Sequence, residues 1–172
     1  LKGWQLVDPS LRTIALIVSA SGAALAEQAR LAASALTTDL LVETSASDRE
    51  TLYVFRRIAT DVDGLWLLPD DEALSPQVLR ELLSYAAARG IGVLTFNEAL
   101  LNRGALLTAT AVPTDIPAAV HEVVERVVAG RTAGLPAMTP LSAAELTVNT
   151  TVASTLGLPP VAEQRWVARE PD

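Results

Sequence analysis

At 172 residues, half of them apolar and about a fifth charged, the chain has enough hydrophobic surface for one well-buried domain and too little polarity for disorder. A net charge of −7 argues against a nucleic-acid backbone or an anionic membrane surface as its main partner. With no cysteine, disulfides, thiolate catalysis and cysteine metal sites are excluded, and Lys2 is the one lysine among thirteen cations.

Residues 1–11 read as a lead-in segment. Thr13 to Val18 forms a first strand that ends in Ser19-Ala20-Ser21-Gly22. Ala23 to Leu36, rich in alanine and leucine, is a helix by propensity. Leu40 to Thr44 is a second strand leading into Ser45-Ala46-Ser47-Asp48. Ser47 and Glu50 have capping-box spacing for a helix through Ile58, whose buried face carries Leu52, Phe55 and Ile58. The third strand, Leu65 to Leu68, is a short apolar run that stops at Pro69 and the acids Asp70, Asp71 and Glu72. Ser75-Pro76 then gives an N-cap followed by proline at the first helical position, and Arg89-Gly90 ends that helix.

Ile91 to Phe96 forms the fourth strand, ending at Asn97-Glu98, with a short helix through Leu101. Ala105 to Val112 is the fifth strand. Pro113-Thr114-Asp115 starts a helix in which Ile116, Val120, Val123, Val124 and Val127 share a face, ending at Gly130. Residues 131–140 read as a surface connection, Glu145 to Asn149 as a sixth strand, and the residues to Leu156 as a terminal helix. The tail 161–172, with Trp166, shows no clear pattern. Strands and helices alternate across short connections, which predicts a single three-layer α/β/α domain over 12–160 with a parallel sheet of five to six strands.

In such a sheet ligands lie at the carboxyl ends of the strands, so the strand-end residues are the ones to weigh. A phosphoacceptor aspartate after the third strand also needs an acidic pair after the first and a lysine after the fifth. Neither is present. Ser19-Ala20-Ser21-Gly22 matches no phosphate-loop fingerprint, yet as a helix start it suits an anion, or it is a plain capped turn. His121 is the one histidine and sits mid-helix, away from any strand end, so neither a nucleophilic triad nor a histidine metal cluster can be assembled. Asp70, Asp71 and Glu72 are consecutive, so their side chains diverge, and helix-start stabilisation suits them better than a metal. Asn149-Thr150-Thr151 fits the glycosylation pattern, which occurs often by chance. Trp66 reads as core, whereas Trp4 and Trp166 fall outside the regular elements, free to cover an edge or a partner. No catalytic set, cofactor motif or metal set emerges, and the expectation is a protein that is not an enzyme.

Several segments, in order, resemble a known family. Val62-Asp63-Gly64-Leu65-Trp66-Leu67-Leu68-Pro69-Asp70-Asp71 looks like the "D-a-hydrophobic-P-x-D" segment of ABC-transporter substrate-binding proteins of the periplasmic binding protein type I kind, in particular the tryptophan- and tyrosine-type branch. The likeness continues through Gly92 to Glu98, Arg103 to Leu107 and Val127 to Gly130. It closes with Val148-Asn149-Thr150-Thr151-Val152-Ala153-Ser154-Thr155-Leu156-Gly157-Leu158-Pro159-Pro160, similar to the family's "V-N-x-x-x-A-x-x-L-G-hydrophobic-x-P". It covers only the second of the family's two lobes. The family's first loop carries Asn-Pro and a later serine, and Ser19-Ala20-Ser21-Gly22 is shorter.

The resemblance implies one lobe of a periplasmic-binding-protein type I-like fold, outside the cytoplasm, binding a small polar, amino acid-like solute beside membrane transporter components, without a cofactor. By position the ligand contacts are Ser19, Ser21, Ser45, Asp71, Asn97 and Glu98. An alternative is a single-lobe interaction or scaffold module that has lost solute binding and acts beside an uptake system. In the family the helix after the fifth strand crosses to the other lobe; standing alone it must fold onto its own sheet or form a homodimer. A small α/β enzyme is a third reading, disfavoured by the missing acid–base groups. The sequence has no apolar run of ~18 residues able to span a bilayer. Starting at Leu1, it is expected to be a processed chain or an excised domain, with any targeting segment removed.

Overall fold

Seven strands form one sheet in the order β2-β1-β3-β4-β5-β6-β7. They are β1 (Thr13–Val18), β2 (Asp39–Thr44), β3 (Gly64–Trp66), β4 (Gly92–Thr95), β5 (Leu107–Ala111), β6 (Ala143–Val148) and β7 (Arg165–Arg169). The helices are α1 (Lys2–Val7), α2 (Ala23–Ser34), α3 (Asp48–Ile58), α4 (Pro76–Arg89), α5 (Asp115–Val128) and α6 (Thr150–Thr155), with 3-10 turns at Ala20–Gly22 and Glu98–Arg103. The structure, a computed structural model, describes residues 1–36, 38–70, 73–113, 115–131, 143–161 and 165–169. Asp71, Glu72 and most of the expected surface connection lie outside the described residues. No helix among the described residues is long and apolar enough to cross a membrane.

The three-layer α/β architecture is the expected one. Strands β1 to β5 are parallel, with Leu16 opposite both Val42 and Trp66, Leu65 opposite Val93, and Leu94 opposite Leu107. Parallel neighbours need crossover connections; α2, α3 and α4 provide them as far as β4, and the 3-10 turn Glu98–Arg103 joins β4 to β5. The departure from an all-parallel sheet comes at the far edge. Strand β6 runs antiparallel to β5, and the tail that showed no pattern supplies β7, antiparallel to β6. Alternation of strands and helices fixes the direction of a strand only when the intervening helix packs back on the sheet, and α5 does not.

One face of the sheet is covered by α3 and α4. Ala15, Ile17, Leu65, Leu67 and Val93 pack against Val54, Phe55 and Ile58 from α3 and Leu82, Leu83 and Ala86 from α4. On the other face, Leu16 and Val18 meet Ala26 and Ala29 of α2. Beside them Ile14, Leu94, Leu107 and Val148 meet Trp4, Val7 and Ala153 of α1 and α6. Burying each of the larger of these side chains contributes about 1.5–3 kcal/mol.

Trp4, expected outside the regular elements, is instead fully buried in α1. Its indole packs against the start of β3. A β-carbon on Gly64 would stand 2.5 and 2.6 Å from its ring carbons, so only glycine fits. Helix α5 behaves differently. Ile116, Val120, Val124 and Val127 are 45–56% exposed and Val128 is 82% exposed, so its apolar stripe does not cover the chain's own sheet.

Candidate functional site

The strand order reverses at β1, which has β2 on one side and β3 on the other, while α2 and α3 leave to opposite faces. Loops that diverge at such a point leave a crevice at the carboxyl ends of the strands. Ser19 follows β1 directly and is 1% exposed. Its hydroxyl lies 2.7 Å from that of Ser21, and Ser21 itself is exposed. One hydroxyl of the pair donates to the other, which leaves the second proton free for another acceptor.

The loop is pinned from beneath. Asp70, after β3 and only 9% exposed, accepts the Ser19 amide through Oδ2 at 2.7 Å and the Ala73 amide through Oδ1 at 3.0 Å. The 3-10 turn that follows Ser19 is closed by the Gly22 amide donating to the Ser19 carbonyl. At Gly22 a β-carbon would stand 2.9 Å from Asp70 Oδ2, so glycine lets the carboxylate approach the start of α2. Helices α3, α4 and α6 are capped by the side chains of Ser47, Ser75 and Asn149, and the turn at Glu98–Arg103 by Asn97. Helix α2 begins after Gly22 with no side-chain cap. The 3-10 turn that leads into it likewise lacks a side-chain cap, and the serine pair lies at that entry.

The other expected contacts divide. Ser45 follows β2 at the same rim but is 3% exposed and turned inward. Its hydroxyl donates to the Ser47 carbonyl at 2.6 Å and accepts from Thr51 Oγ1 at 2.9 Å, so it fastens the start of α3. Asn97 and Glu98 are exposed after β4. Asn97 Oδ1 accepts the Ala99 amide at 2.9 Å. Glu98 is ion-paired with Arg165, whose guanidinium also lies 3.5 Å from Glu145 and donates through Nε to Thr147 at 3.1 Å. That contact from the tail had no signal in the sequence, because β7 itself had none. Asp71 lies outside the described residues, and Asp70 takes the structural role beside it.

Two further motifs resolve as architecture. Asn149, at the glycosylation-like triplet, caps α6 and donates its side-chain nitrogen to the Leu101 carbonyl at 2.7 Å. His121 lies exposed on α5, 3.4 Å from Glu125. Among the described residues no group of three or more histidine, aspartate or glutamate side chains could hold a metal ion. A concavity of about 420 Å³ exists at the opposite rim, near the start of the strands, with Asp8, Ser10, Asp63 and Arg89 in its wall. Both of its acids are engaged. Asp8 accepts from the Ser10 amide, and Asp63 from the amides of Arg12 and Thr13.

No family model matches the chain, and no curated protein matches it. Solved structures do. A conserved domain protein from Vibrio cholerae aligns with a TM-score of 0.68 at 17% identity, over 94% of this chain and 55% of its own. An ABC domain from Streptococcus pneumoniae in complex with L-Trp aligns with a TM-score of 0.68 at 16% identity, over 92% and 54%. The ligand-free, open structure of a substrate binding protein with adhesive properties from Clostridium difficile aligns with a TM-score of 0.69 at 13% identity, over 95% and 56%. At these identities the likeness shows a shared fold, and the chain spans just over half the length of each.

Proposed function

We propose that the chain is a non-catalytic solute-binding lobe of an ABC-type uptake system, working outside the cytoplasm beside membrane transporter components. The observation that carries this reading is the Ser19–Ser21 hydroxyl pair beside the uncapped start of α2, at the point where the strand order reverses. The exposed Ser21 hydroxyl, backed by the buried Ser19, suits the carboxylate or hydroxyl group of a small polar solute, and Asn97 extends the polar rim across β4. Asp71 and Glu98 complete the proposed contact set, with Glu98 able to receive an ammonium group only by giving up Arg165. The complex of one fold neighbour with L-Trp makes amino acids the first solutes to try.

Thermal-shift and calorimetric screening of amino acids, sugars and small amines tests the proposal. Stabilisation by one class, lost in Ser19→Ala/Ser21→Ala, is the expected result. Failure of every class to bind, with this chain and with the chain joined to a first lobe, would sink it.

A second reading, a lobe that has lost solute binding and pairs with its own copy, rests on α5. A 14-residue helix is marginal in water without a packed face, and this one leaves its valine stripe open. Sedimentation equilibrium decides it. A dimer that Val124→Glu dissociates supports pairing through α5; a monomer at all concentrations excludes it.

A further inference from the structure

The outer surface of α3 and α4, away from the rim just described, concentrates a second kind of chemistry. Both tyrosines of the chain, Tyr53 and Tyr85, lie on these two helices, together with Arg49, Arg56, Arg57, Arg80 and Arg89. Arg49, Tyr53 and Arg56 recur at four- and three-residue steps, which places them on one outward stripe of α3, and all three are exposed.

Tyr85 is the centre of the arrangement. The Arg56 guanidinium lies 5.5 Å from its ring centroid and that of Arg89 5.2 Å, while Phe55 meets the ring edge-on at 5.8 Å. Stacking on an aromatic ring holds a guanidinium in place, so its donor fork is ordered before a partner arrives. The two guanidiniums are within about 11 Å of each other across the ring. Arg56, Arg80, Ser84 and Tyr85, with Ala88 and one acid, Glu81, line a shallow depression of about 330 Å³. Arg57 is paired with Glu43, but Arg49, Arg56, Arg80 and Arg89 form no ion pair among the described residues. A cation in the last turn of a helix meets the dipole, which accounts for the positions of Arg56 and Arg89. It does not account for Arg49 or Arg80, or for both tyrosines being here.

We propose that this face is a docking surface for an acidic protein segment, gripped by Arg56, Arg80 and Arg89 around Tyr85. Ordered arginine forks suit carboxylates, and arginine with tyrosine is the composition of protein-interface hot spots. An anionic membrane is the poorer fit. A lipid surface meets the whole molecule and is repelled by its charge of −7, whereas a short acidic segment meets only this face, the rest being screened by salt. The proposal is independent of solute binding at the rim.

Titration of the isotope-labelled chain with a hexaglutamate peptide, followed by amide chemical shifts, tests it. Saturable shifts should be confined to the outer residues of α3 and α4. Arg56→Ala/Arg89→Ala should weaken binding at least about tenfold. Arg56→Lys/Arg89→Lys, which keeps the charge and removes the planar fork, should weaken it about threefold, and Arg126→Ala/Arg131→Ala on and after α5 should leave it unchanged. Absence of saturable binding, equal loss in the α5 variant, or co-sedimentation with phosphatidylglycerol vesicles that needs Arg56 and Arg89 while hexaglutamate does not bind would each overturn it.

Discussion

Replacing Asp70 by alanine should loosen the whole strand-end rim. The carboxylate is 9% exposed and accepts two amides, from Ser19 at 2.7 Å and Ala73 at 3.0 Å, both in buried residues. A hydrogen bond to a charged acceptor is worth roughly 1.5–3 kcal/mol, so two give about 3–6 kcal/mol. Removing the carboxylate also removes the cost of keeping a charge away from water, which brings the expected loss to the low end, about 3 kcal/mol. Asp70→Asn keeps one acceptor and turns an amide donor toward a second donor, so about 2 kcal/mol is expected there. For a chain of this length that corresponds to a fall in Tm of roughly 6–12 °C for alanine. Urea unfolding at constant m gives the equilibrium loss, and hydrogen exchange of the Ser19 amide gives the local effect. A loss below about 1 kcal/mol for Asp70→Ala, or an unchanged Ser19 exchange rate, would refute the pinning argument.

Other perturbations have smaller or more local outcomes. Gly64→Ala pushes a methyl group against the buried Trp4 ring and should cost about 1–3 kcal/mol by denaturation; combined with Trp4→Leu the loss should be less than the sum of the two. Arg165→Gln breaks pairs in which Arg165 and Glu98 are about half exposed and Glu145 about a quarter, so stability should change by less than about 1 kcal/mol and the difference should shrink further in high salt. If the chain is monomeric, Val124→Glu on the open face of α5 should leave its unfolding free energy within about 0.5 kcal/mol of the parent. Ser45→Ala should lower stability by about 1 kcal/mol through Thr51 and the start of α3, a larger effect than Ser21→Ala at the exposed end of the hydroxyl pair.

The elements that the sequence displayed were those whose signals are local. Ser47 does cap α3 through the Glu50 amide, Ser75 caps α4 ahead of Pro76, and Gly90 ends α4 in the left-handed region. Glu50 reaches the amide of Ala46, where a reciprocal capping box would return to Ser47. What stayed hidden depended on contacts distant in sequence. Trp4 reads as a loop residue because nothing near it announces that Gly64 and Gly92, about sixty and ninety positions on, leave room for its ring. Strand β7 is recognisable only by its pairing with β6, and with it comes the Arg165 contact to Glu98. At the rim, residue order along the sheet could be read from alternation alone, so Ser19, Ser45 and Asn97 were assigned to strand ends. Which hydroxyls stay available could not, since Ser19 and Ser45 are both buried directly after their strands, one paired with the exposed Ser21 and the other closed on Ser47 and Thr51.

The central claim, that the rim around Ser19 and Ser21 receives a small solute, is tested most directly by amide chemical-shift mapping during titration with L-tryptophan and a panel of other amino acids. Saturable changes centred on Ser19 to Ala23 and on Asn97 to Ala99, abolished in Ser19→Ala/Ser21→Ala, are the predicted result. Saturable changes centred instead on Asp8, Asp63 and Arg89 at the opposite rim would contradict it.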